Sequence, residues 1–450
     1  MIDIRLVRER PGLVRDGLAR RGVDPAEVDR LAGLDRDHRV AVARSEQLRS
    51  SVKALSRRVA DARRAGDVAA ADRLAAESRD LGDGQRAAAE EEGGLGRAVR
   101  QALLALPNLP ADEAPDGAGP ADNAVVSQWW PGCDRGAPEP EPEPHQQVPH
   151  WDVGEELGIL DMARGASLAG SMFPLFRGAG ARLCRALTSW ALDHHTDAYQ
   201  EIRPPTLVLT ETMTSTGHLP KFADEAYRVE RDGLWAIPTA EVPLTSMRRG
   251  EILAEDDLPV RLTAATQCFR REAGAAGRET RGLLRVHEFE KVELFAYATP
   301  DQAPAVHADI LRRAEGLLEE LGLPYRVVDL CAGDLGASSA RTFDLEVRAP
   351  GSDRWLEVSS VSWFGDYQAR RANVRYRPAG GGSPVLVHTL NGSALAWPRI
   401  WAALVEWGRR PDGSVELPAC LGPWLGGDLV IAAPPARAAG PQAGRAASKR

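Results

Sequence analysis

The chain has 450 residues, 43% of them hydrophobic and 27% charged, which is typical of a globular protein and allows two or three domains. Its net charge of −8 gives no overall sign of nucleic-acid binding. Residues 1–110, however, contain 21 Lys and Arg against 18 Asp and Glu, so a locally basic segment precedes an acidic body.

The five cysteines lie far apart without a CxxC pair, which argues against a structural zinc site or a disulfide framework and fits reduced thiols. The first ten residues are charged and do not resemble a signal peptide. No run of 18 apolar residues predicts a membrane span. We therefore expect a cytoplasmic protein without a membrane segment.

Two long helices are predicted after a short helical or extended segment that ends at Gly22. A heptad seam runs over residues 31–62, Gly66 interrupts it, and a second seam runs over residues 74–106. Two facing seams with a short joint predict an antiparallel coiled coil within residues 1–110.

The predicted coiled coil has two unusual features. Five glycines over residues 82–96 predict a frayed or kinked base, because each costs about 1 kcal/mol against alanine. Charged residues on the outer face of a coiled coil are usually just exposed to solvent. This pattern therefore also fits a plain or dimerising coiled coil. The arginines concerned lie near the tip and are Arg57, Arg58, Arg63, Arg64 and Arg73.

Composition divides the rest of the chain into three parts. Residues 111–148 are rich in Pro, Gly and acidic residues and predict an extended linker. Residues 149–430 have the mixed pattern of a globular domain. Residues 431–450 are of low complexity and predict a disordered tail.

Helices are predicted at residues 178–196 and 304–321, with short strands before Pro204 and repeatedly after Leu234. Hairpins instead of regular βαβ units predict an α+β fold with a mainly antiparallel sheet flanked by helices. The sequence has neither GxGxxG between a strand and a helix nor GxxxxGK[ST]. Phosphates of a nucleotide would therefore have to be held by side chains.

The most informative stretch is residues 269–293, FRREAGAAGRETRGLLRVHEFEKVE. Strand-like ends enclose a Gly- and Arg-rich bend, which includes Gly277 and Arg278, and predict a hairpin. So many unpaired ions would be unfavourable in a buried sheet, so we expect the hairpin to face a polyanionic ligand. From the charges alone, a surface hairpin exposed to solvent is an equally good interpretation.

This stretch resembles motif 2 of the class II aminoacyl-tRNA synthetases, in the form carried by seryl-tRNA synthetases. TGHLPKF at 216–222, IPTAEVPLT at 237–245 and HTLNGSALAWPRI at 388–400 also resemble that family. The resemblance extends from about residue 1 to about residue 430. It implies a coiled-coil arm, a class II catalytic domain, and a ligase that activates L-serine with ATP and transfers it to the 3′ end of tRNA(Ser).

The resemblance also implies which residues handle ATP. Arg270 matches the motif 2 arginine, which spans the α-phosphate and the substrate carboxylate and needs a planar, permanently charged fork. Arg399 matches the motif 3 arginine on the γ-phosphate, and Glu357 and Ser360 match positions that ligate Mg²⁺. Phe289 is expected to stack on adenine, although its spacing fits an inward core residue as well. The implied ATP set is Arg270, Arg271, Glu272, Val286, Phe289, Glu357, Val358, Ser359, Ser360 and Arg399, and the implied catalytic residues are Arg270, Arg399 and Glu357.

A serine pocket is implied in the same way. Glu293 matches the residue that accepts from the substrate hydroxyl, and buried polar groups of this kind reject a substrate without the hydroxyl because they would stay unpaired. The TAE segment matches the part that receives the amino group. The implied set is Thr239, Ala240, Glu241, Arg270, Glu293, Asn391 and Ser393.

In seryl-tRNA synthetases the arm grips the long variable arm and elbow of the tRNA, mainly through phosphates. The resemblance thus implies that the five tip arginines bind tRNA. The helix at 178–196 and the strand after it resemble motif 1, which implies a homodimer. The pattern of this helix alone fits an ordinary amphipathic core helix.

One stretch departs from the family. Val361 and Trp363 stand where Cys and Asn are usual, and we expect Trp363 to narrow the pocket or to repack a neighbouring layer. A specialised paralogue that supplies seryl-tRNA to a biosynthetic pathway is therefore a hypothesis. Serine adenylation for a carrier protein is disfavoured because such relatives lack the arm. A non-enzymatic RNA-binding protein is disfavoured because Arg270, Glu293 and Arg399 are all present.

Overall fold

The computed structural model of the chain describes residues 1–133, 138–274 and 280–433. Gly277 and Arg278 of the predicted hairpin bend lie outside the described residues, as does the part of the predicted disordered tail from residue 434 onward.

The first 110 residues form a helical arm, so the predicted antiparallel coiled coil is confirmed. Asp24 and Asp67 cap its two long helices, because each carboxylate accepts from a backbone N–H in the first turn. Gly66, with φ of +79°, makes the turn between these helices. The arm consists of α1 (Ile4–Glu9), α2 (Pro11–Ala19), α3 (Pro25–Arg64) and α4 (Val68–Ala105).

The predicted fraying of the arm is wrong, because α4 runs without a break through all five glycines. A Cβ atom at Gly96 would lie 3.1 Å from Nε2 of His38, so this glycine makes room for an imidazole from α3. Packing against α3 supplies the stability that glycine removes, since tertiary contacts override helix propensity.

An eight-stranded sheet forms the centre of the second part of the chain. Neighbouring strands are antiparallel except for one parallel pair at an edge. In spatial order the strands are β1 (Ala124–Trp129), β9 (Tyr325–Asp329), β10 (Arg341–Ala349), β11 (Arg354–Trp363), β14 (His388–Ala396), β8 (Glu288–Ala298), β7 (Val260–Phe269) and β2 (Gln200–Glu201). The predicted mainly antiparallel sheet is therefore confirmed.

Three smaller sheets surround it. They consist of β13 (Val385–Leu386), β12 (Arg375–Arg377) and β6 (Ile252–Ala254); of β3 (Leu207–Leu209), β5 (Leu234–Ala236) and β4 (Arg228–Val229); and of β15 (Val415–Glu416) and β16 (Val430–Ile431). Short 3₁₀ helices occur at Pro120–Asp122, Pro144–Gln146, Ala223–Glu225, Glu255–Asp257 and Ala419–Leu421.

Helices cover the sheet and bury its apolar side chains. Leu183, Ile310 and Trp401, from three different helices, have no exposed surface. The helices are α5 (His150–Glu156), α6 (Met162–Ala169), α7 (Ala179–Asp193), α8 (Thr210–Thr216), α9 (Glu241–Ser246), α10 (Ala303–Glu320), α11 (Tyr367–Ala372), α12 (Trp397–Trp407) and α13 (Gly422–Leu425). Among the described residues, none of the helices combines the length and apolarity needed to cross a membrane.

The predicted linker differs from the structure in one part. Ala124–Trp129 pairs with β9 and forms an edge of the central sheet. The Pro-, Gly- and acid-rich segments on both sides of this short strand hid it in the sequence. The predicted tail also begins too early, since Ile431 pairs with Val415.

Candidate active site

A cleft of about 170 Å³ opens where β8, β11 and β14 meet the start of α12. Nine of the ten residues predicted for ATP line it, and the exception is Arg271. The lining consists of Arg270, Glu272, Leu283, Leu284, Arg285, Val286, Phe289, Lys291, Glu357, Val358, Ser359, Ser360, Ser393, Ala396, Pro398 and Arg399.

Arg270 directly follows β7 and is fixed by its backbone. Its N–H donates to the carbonyl of His287 over 2.9 Å, and its own carbonyl lies 2.9 Å from Nδ1 of that histidine. The guanidinium lies 5.2 Å from the centre of the Phe289 ring, a favourable cation–π contact. Phe289 is 8% exposed and belongs to both the core and the cleft wall. The two interpretations of Phe289 are therefore compatible.

Arg271 and Glu272 point in different directions. Glu272 has a φ of +49° and pairs with Arg285 at 2.5 Å inside the cleft. Arg271 donates to the carbonyl of Asp224 over 3.1 Å, so the structure places it outside the cleft. Side chains alternate between faces along an extended segment, which separates Arg271 from Arg270 and Glu272. Arg285 was not predicted; its position in the second half of the same hairpin was the available signal.

A β-bulge shapes the opposite wall. The register between β10 and β11 shifts at Val358, so that two residues of β11 oppose one of its partner. The bulge lets four consecutive residues, Glu357 to Ser360, line the cleft, which strict alternation would forbid. Ser359 donates to the carbonyl of Ser393 over 2.6 Å and ties this wall to β14.

Arg399 lies in the first turn of α12. Its Nη1 donates to the carbonyl of Glu357 over 2.6 Å and lies 3.8 Å from the carboxylate of that residue. Nε and Nη2 each lie 3.3 Å from the carbonyl of Leu284. A cation near a helix N-terminus adds to the positive end of the helix dipole, an arrangement that favours an anionic ligand.

A buried polar pocket adjoins the cleft around Glu293, which has no exposed surface. Thr239 donates to Oε2 over 2.6 Å, Asn391 donates to Oε1 over 2.9 Å, and Nζ of Lys291 lies 2.6 Å from Oε2. Lys291 was not predicted, although its position two residues before Glu293 on one strand face was a usable signal. It also lines the cleft, so the pocket and the cleft are continuous.

Glu241 is the second carboxylate of this pocket and is 7% exposed, next to the fully buried Ala240. Nε2 of Gln368 donates to its Oε1 over 2.6 Å, and Asn391 lies 3.4 Å from its Oε2. Burial, reinforced by the charge of Glu293, raises the pKa of Glu241 to about 7. Gln368 was not predicted, because its contact with Glu241 spans 127 residues.

Asp344 stands behind the bulged wall and forms a hydrogen bond with Ser360. Burial, reinforced by the charge of Glu357, raises the pKa of Asp344 well above its usual range. Its Oδ1 is buried and has no hydrogen-bond partner within the described part of the chain. This side of the cleft thus contains a buried carboxyl oxygen without a hydrogen-bond partner among the described residues.

The two parts of the chain match known families. Residues 1–110 match the seryl-tRNA synthetase N-terminal domain, and residues 227–407 match the tRNA synthetase class II core domain (G, H, P, S and T). The serine–tRNA ligase of Gemmatimonas aurantiaca is 48% identical over 431 residues, 95% of this chain and 99% of that one. The serine–tRNA ligase of Thermomicrobium roseum is 46% identical over 442 residues, 97% and 96% of the two chains.

The chain belongs to the seryl-tRNA synthetases. It is thus a class II ligase of serine and tRNA, as the four motifs predicted. The crystal structure of the seryl-tRNA synthetase from Pyrococcus horikoshii, complexed with ATP, has a TM-score of 0.86 at 34% identity and covers 97% of this chain and 100% of that chain.

The departure from the seryl-tRNA synthetase pattern lies outside the cleft. Trp363 donates through its indole N–H to Nδ1 of His388 over 3.2 Å and is absent from the cleft lining. Val361 is fully buried and meets Gly392 across the sheet. Both residues pack in a layer beside the site, and Trp363 does not line the cleft. Nothing in this geometry favours a specialised paralogue.

The five predicted tRNA-binding arginines of this seryl-tRNA synthetase are exposed and cluster around the joint of α3 and α4. At 1.5 Å per residue, the 40-residue α3 places this joint roughly 60 Å from the base of the arm. They therefore form a surface that is separate from the cleft.

Proposed function

We propose that this enzyme joins L-serine to the 3′ end of tRNA(Ser) in two steps. First the serine carboxylate attacks the α-phosphate of ATP, which forms seryl-adenylate and releases pyrophosphate. A ribose hydroxyl of the tRNA then attacks the carbonyl carbon of the adenylate, which forms the seryl ester, loses the hydroxyl proton and releases AMP. The observation that carries this proposal is that Arg270 and Arg399 line one cleft, which continues into the acidic pocket of Glu293.

The first step needs alignment and positive charge more than covalent help. We assign Arg270 to the α-phosphate and the serine carboxylate, because it lies close enough to the pocket for its charge to act on Glu241. We assign Arg399, at the start of α12, to the γ-phosphate. Adenine is assigned to the wall formed by Glu272, Val286 and Phe289, with Val358 and Ser359 opposite. Arg271 receives no role in ATP binding.

We assign the serine side chain to Glu293, which accepts a hydrogen bond from the serine hydroxyl. We assign the serine amino group to Glu241. Thr239 and Asn391 hold these carboxylates in place, and Ala240 and Ser393 complete the pocket. Alanine lacks the hydroxyl and would not form this hydrogen bond with the fully buried carboxylate, which supports selection of serine.

Glu357 and Ser360 fit Mg²⁺. Both present hard oxygen atoms to the cleft, and the buried Oδ1 of Asp344 behind them has no hydrogen-bond partner among the described residues. The described residues contain no cluster of three or more His, Cys, Asp or Glu side chains that could hold a metal alone. Such a sparse donor set suits Mg²⁺, which retains water and takes phosphate oxygens as ligands. A bound ion there would offset phosphate charge.

We further propose that residues 1–110 are the tRNA-binding arm and that residues 149–430 are the catalytic domain. The tip arginines would bind tRNA phosphates. The resemblance of α7 and β2 to motif 1 supports a homodimer, which sedimentation of the purified protein would test. The same family resemblance supports a cytoplasmic enzyme.

ATP–pyrophosphate exchange across a panel of amino acids tests the proposal. We expect exchange that depends on serine and exceeds exchange with alanine or glycine, and charging of serine tRNA. Arg270→Ala should abolish both. Faster exchange with alanine or glycine would refute the assignment of Glu293, and exchange without tRNA charging would favour a carrier protein as acceptor. Replacement of a cell's only seryl-tRNA synthetase would remove any reason to invoke a specialised paralogue.

A further inference from the structure

Gln368 is a fully buried residue of α11 that the proposed reaction leaves without a role. Its Nε2 donates to Oε1 of Glu241 over 2.6 Å and to the carbonyl of Thr216 over 3.3 Å. Its Oε1 accepts from the hydroxyl of Thr389 over 2.8 Å. Both amide protons and the amide oxygen are therefore used inside the protein.

These partners fix the direction of the amide. If the amide were reversed, its oxygen would face the carboxylate of Glu241 and the carbonyl of Thr216, neither of which can donate when Glu241 is ionised. Gln368 consequently presents hydrogen-bond donors to Glu241, and Thr389 keeps it in that orientation.

The base of the arm also holds α11 through two neighbours of Gln368 in the helix. The hydroxyl of Tyr367 donates to the carbonyl of Leu106 over 2.7 Å, and Nη2 of Arg371 donates to the carbonyl of Leu104 over 3.1 Å. A side chain on such an anchored element can hold a neighbouring group within a narrow range of geometries.

We propose that Gln368 is a positioning residue for serine, which holds the Glu241 carboxylate in the orientation that receives the substrate amino group. This inference rests on the proposed function, where Glu241 takes that role. Glu241 does not belong to the lining of the ATP cleft. Loss of Gln368 should therefore weaken serine binding and leave ATP binding intact.

Gln368→Met tests this, because methionine keeps the length and apolar volume of the side chain but removes both donors. In serine-dependent pyrophosphate exchange without tRNA, we expect KM for serine to rise between about tenfold and a hundredfold, as for loss of a hydrogen bond to a charged group. KM for ATP should stay within about twofold, since the ATP cleft is unchanged.

Two further variants separate positioning from structural support. Arg370→Gln on the same helix removes ion pairs with Asp3 and Asp366 and should leave KM for serine unchanged. Thr389→Val keeps Gln368 but removes the hydroxyl that orients it, and should raise KM for serine in the same direction. It serves as an independent variant if Gln368→Met does not fold.

A double-mutant cycle provides the most specific readout. In a Glu241→Gln background, Gln368→Met should add little further rise in KM for serine, because the carboxylate that Gln368 is proposed to orient is already absent. An unchanged KM for serine in Gln368→Met and Thr389→Val, or a parallel rise in the KM values for serine and ATP, would overturn the inference. A wild-type enzyme without serine-dependent exchange would instead overturn the proposed function.

Discussion

Glu241 and Glu293 share the amide group of a single residue in a buried pocket. Nδ2 of Asn391 lies 3.4 Å from Oε2 of Glu241 and 2.9 Å from Oε1 of Glu293. Glu293 also has Lys291 at 2.6 Å, whereas the strongest partner of Glu241 is the neutral amide of Gln368. Burial, reinforced by the charge of Glu293, raises the pKa of Glu241 to about 7, so this carboxyl takes up a proton near neutral pH.

We predict that KM for serine falls as pH rises through neutrality. The pKa of Glu241 is about 7, so the free enzyme gains the charge that attracts the serine amino group as pH rises through that value. His218 cannot cause this change, because burial lowers its pKa to about 4. The measurement is KM for serine in pyrophosphate exchange between about pH 6 and 8. Glu241→Gln should flatten the profile.

Stability should change in the opposite direction. The folded pKa of Glu241 lies above its ordinary value of 4.5, so the unfolded chain releases the proton more readily between those two values. The contribution of Glu241 to the free energy of unfolding therefore decreases as pH rises from 4.5 to about 7.

A wild-type KM for serine that stays constant as pH rises through about 7 would contradict the assignment of Glu241 to the amino group.

Lys291→Met should destabilise the fold. The side chains of Lys291 and Glu293 are only 7% and 0% exposed, so the substitution leaves a buried carboxylate without its cation. Breaking one half of such a pair typically costs about 3 to 5 kcal/mol in the free energy of unfolding. Urea denaturation measures this loss. If the single variant were as stable as the wild type, the ion pair would make no net contribution to the free energy of unfolding.

The double variant Lys291→Met with Glu293→Gln is the matched control. Removal of both charges should recover most of the lost stability, because no unpaired ion remains buried. Serine activation should nevertheless be lost in the double variant, since Glu293→Gln changes the acceptor for the serine hydroxyl. Recovery of both properties would show that Glu293 does not select serine.

The sequence predicted the members of the site better than their surroundings. Two of the four motif stretches identified Arg270, Glu293 and Arg399, which lie up to 129 positions apart. The strands that bring them together were predicted as short, whereas β7, β8, β11 and β14 contain 10, 11, 10 and 9 residues. Lys291 was missed although it lies only two residues before its partner Glu293. Gln368 was missed because its contact with Glu241 spans 127 residues and leaves no local pattern in the sequence.

Other differences arose where a local rule was overridden. Arg271 fell outside the cleft because neighbouring residues of an extended segment point to opposite sides. The bulge at Val358 could not be predicted, because one extra residue in a strand has no clear composition signal. The glycines of α4 were judged by propensity alone, whereas packing against α3 decides whether that helix stays intact.

Arg270 and Arg271 offer a matched pair of adjacent substitutions. Arg270→Lys should lower kcat/KM of pyrophosphate exchange by about 10²- to 10³-fold, because lysine cannot present a planar fork to phosphate and carboxylate together. Arg271→Lys should change it by no more than about threefold, since that side chain bonds to the Asp224 carbonyl outside the cleft. Equal losses of kcat/KM in the two variants would show that Arg271 takes part in ATP binding after all.

The tip of the arm should act on tRNA charging alone. A variant with Arg63→Gln and Arg64→Gln should raise KM for tRNA and leave tRNA-independent pyrophosphate exchange unchanged, because the tip lies far from the cleft. If both arginines contact phosphates, the slope of log affinity against log salt should fall by about 2, or about 1 per contact. The control is Arg36→Gln, on the same helix near its base and similarly exposed. Equal weakening by the control would mean that net charge, and not the tip, attracts the tRNA.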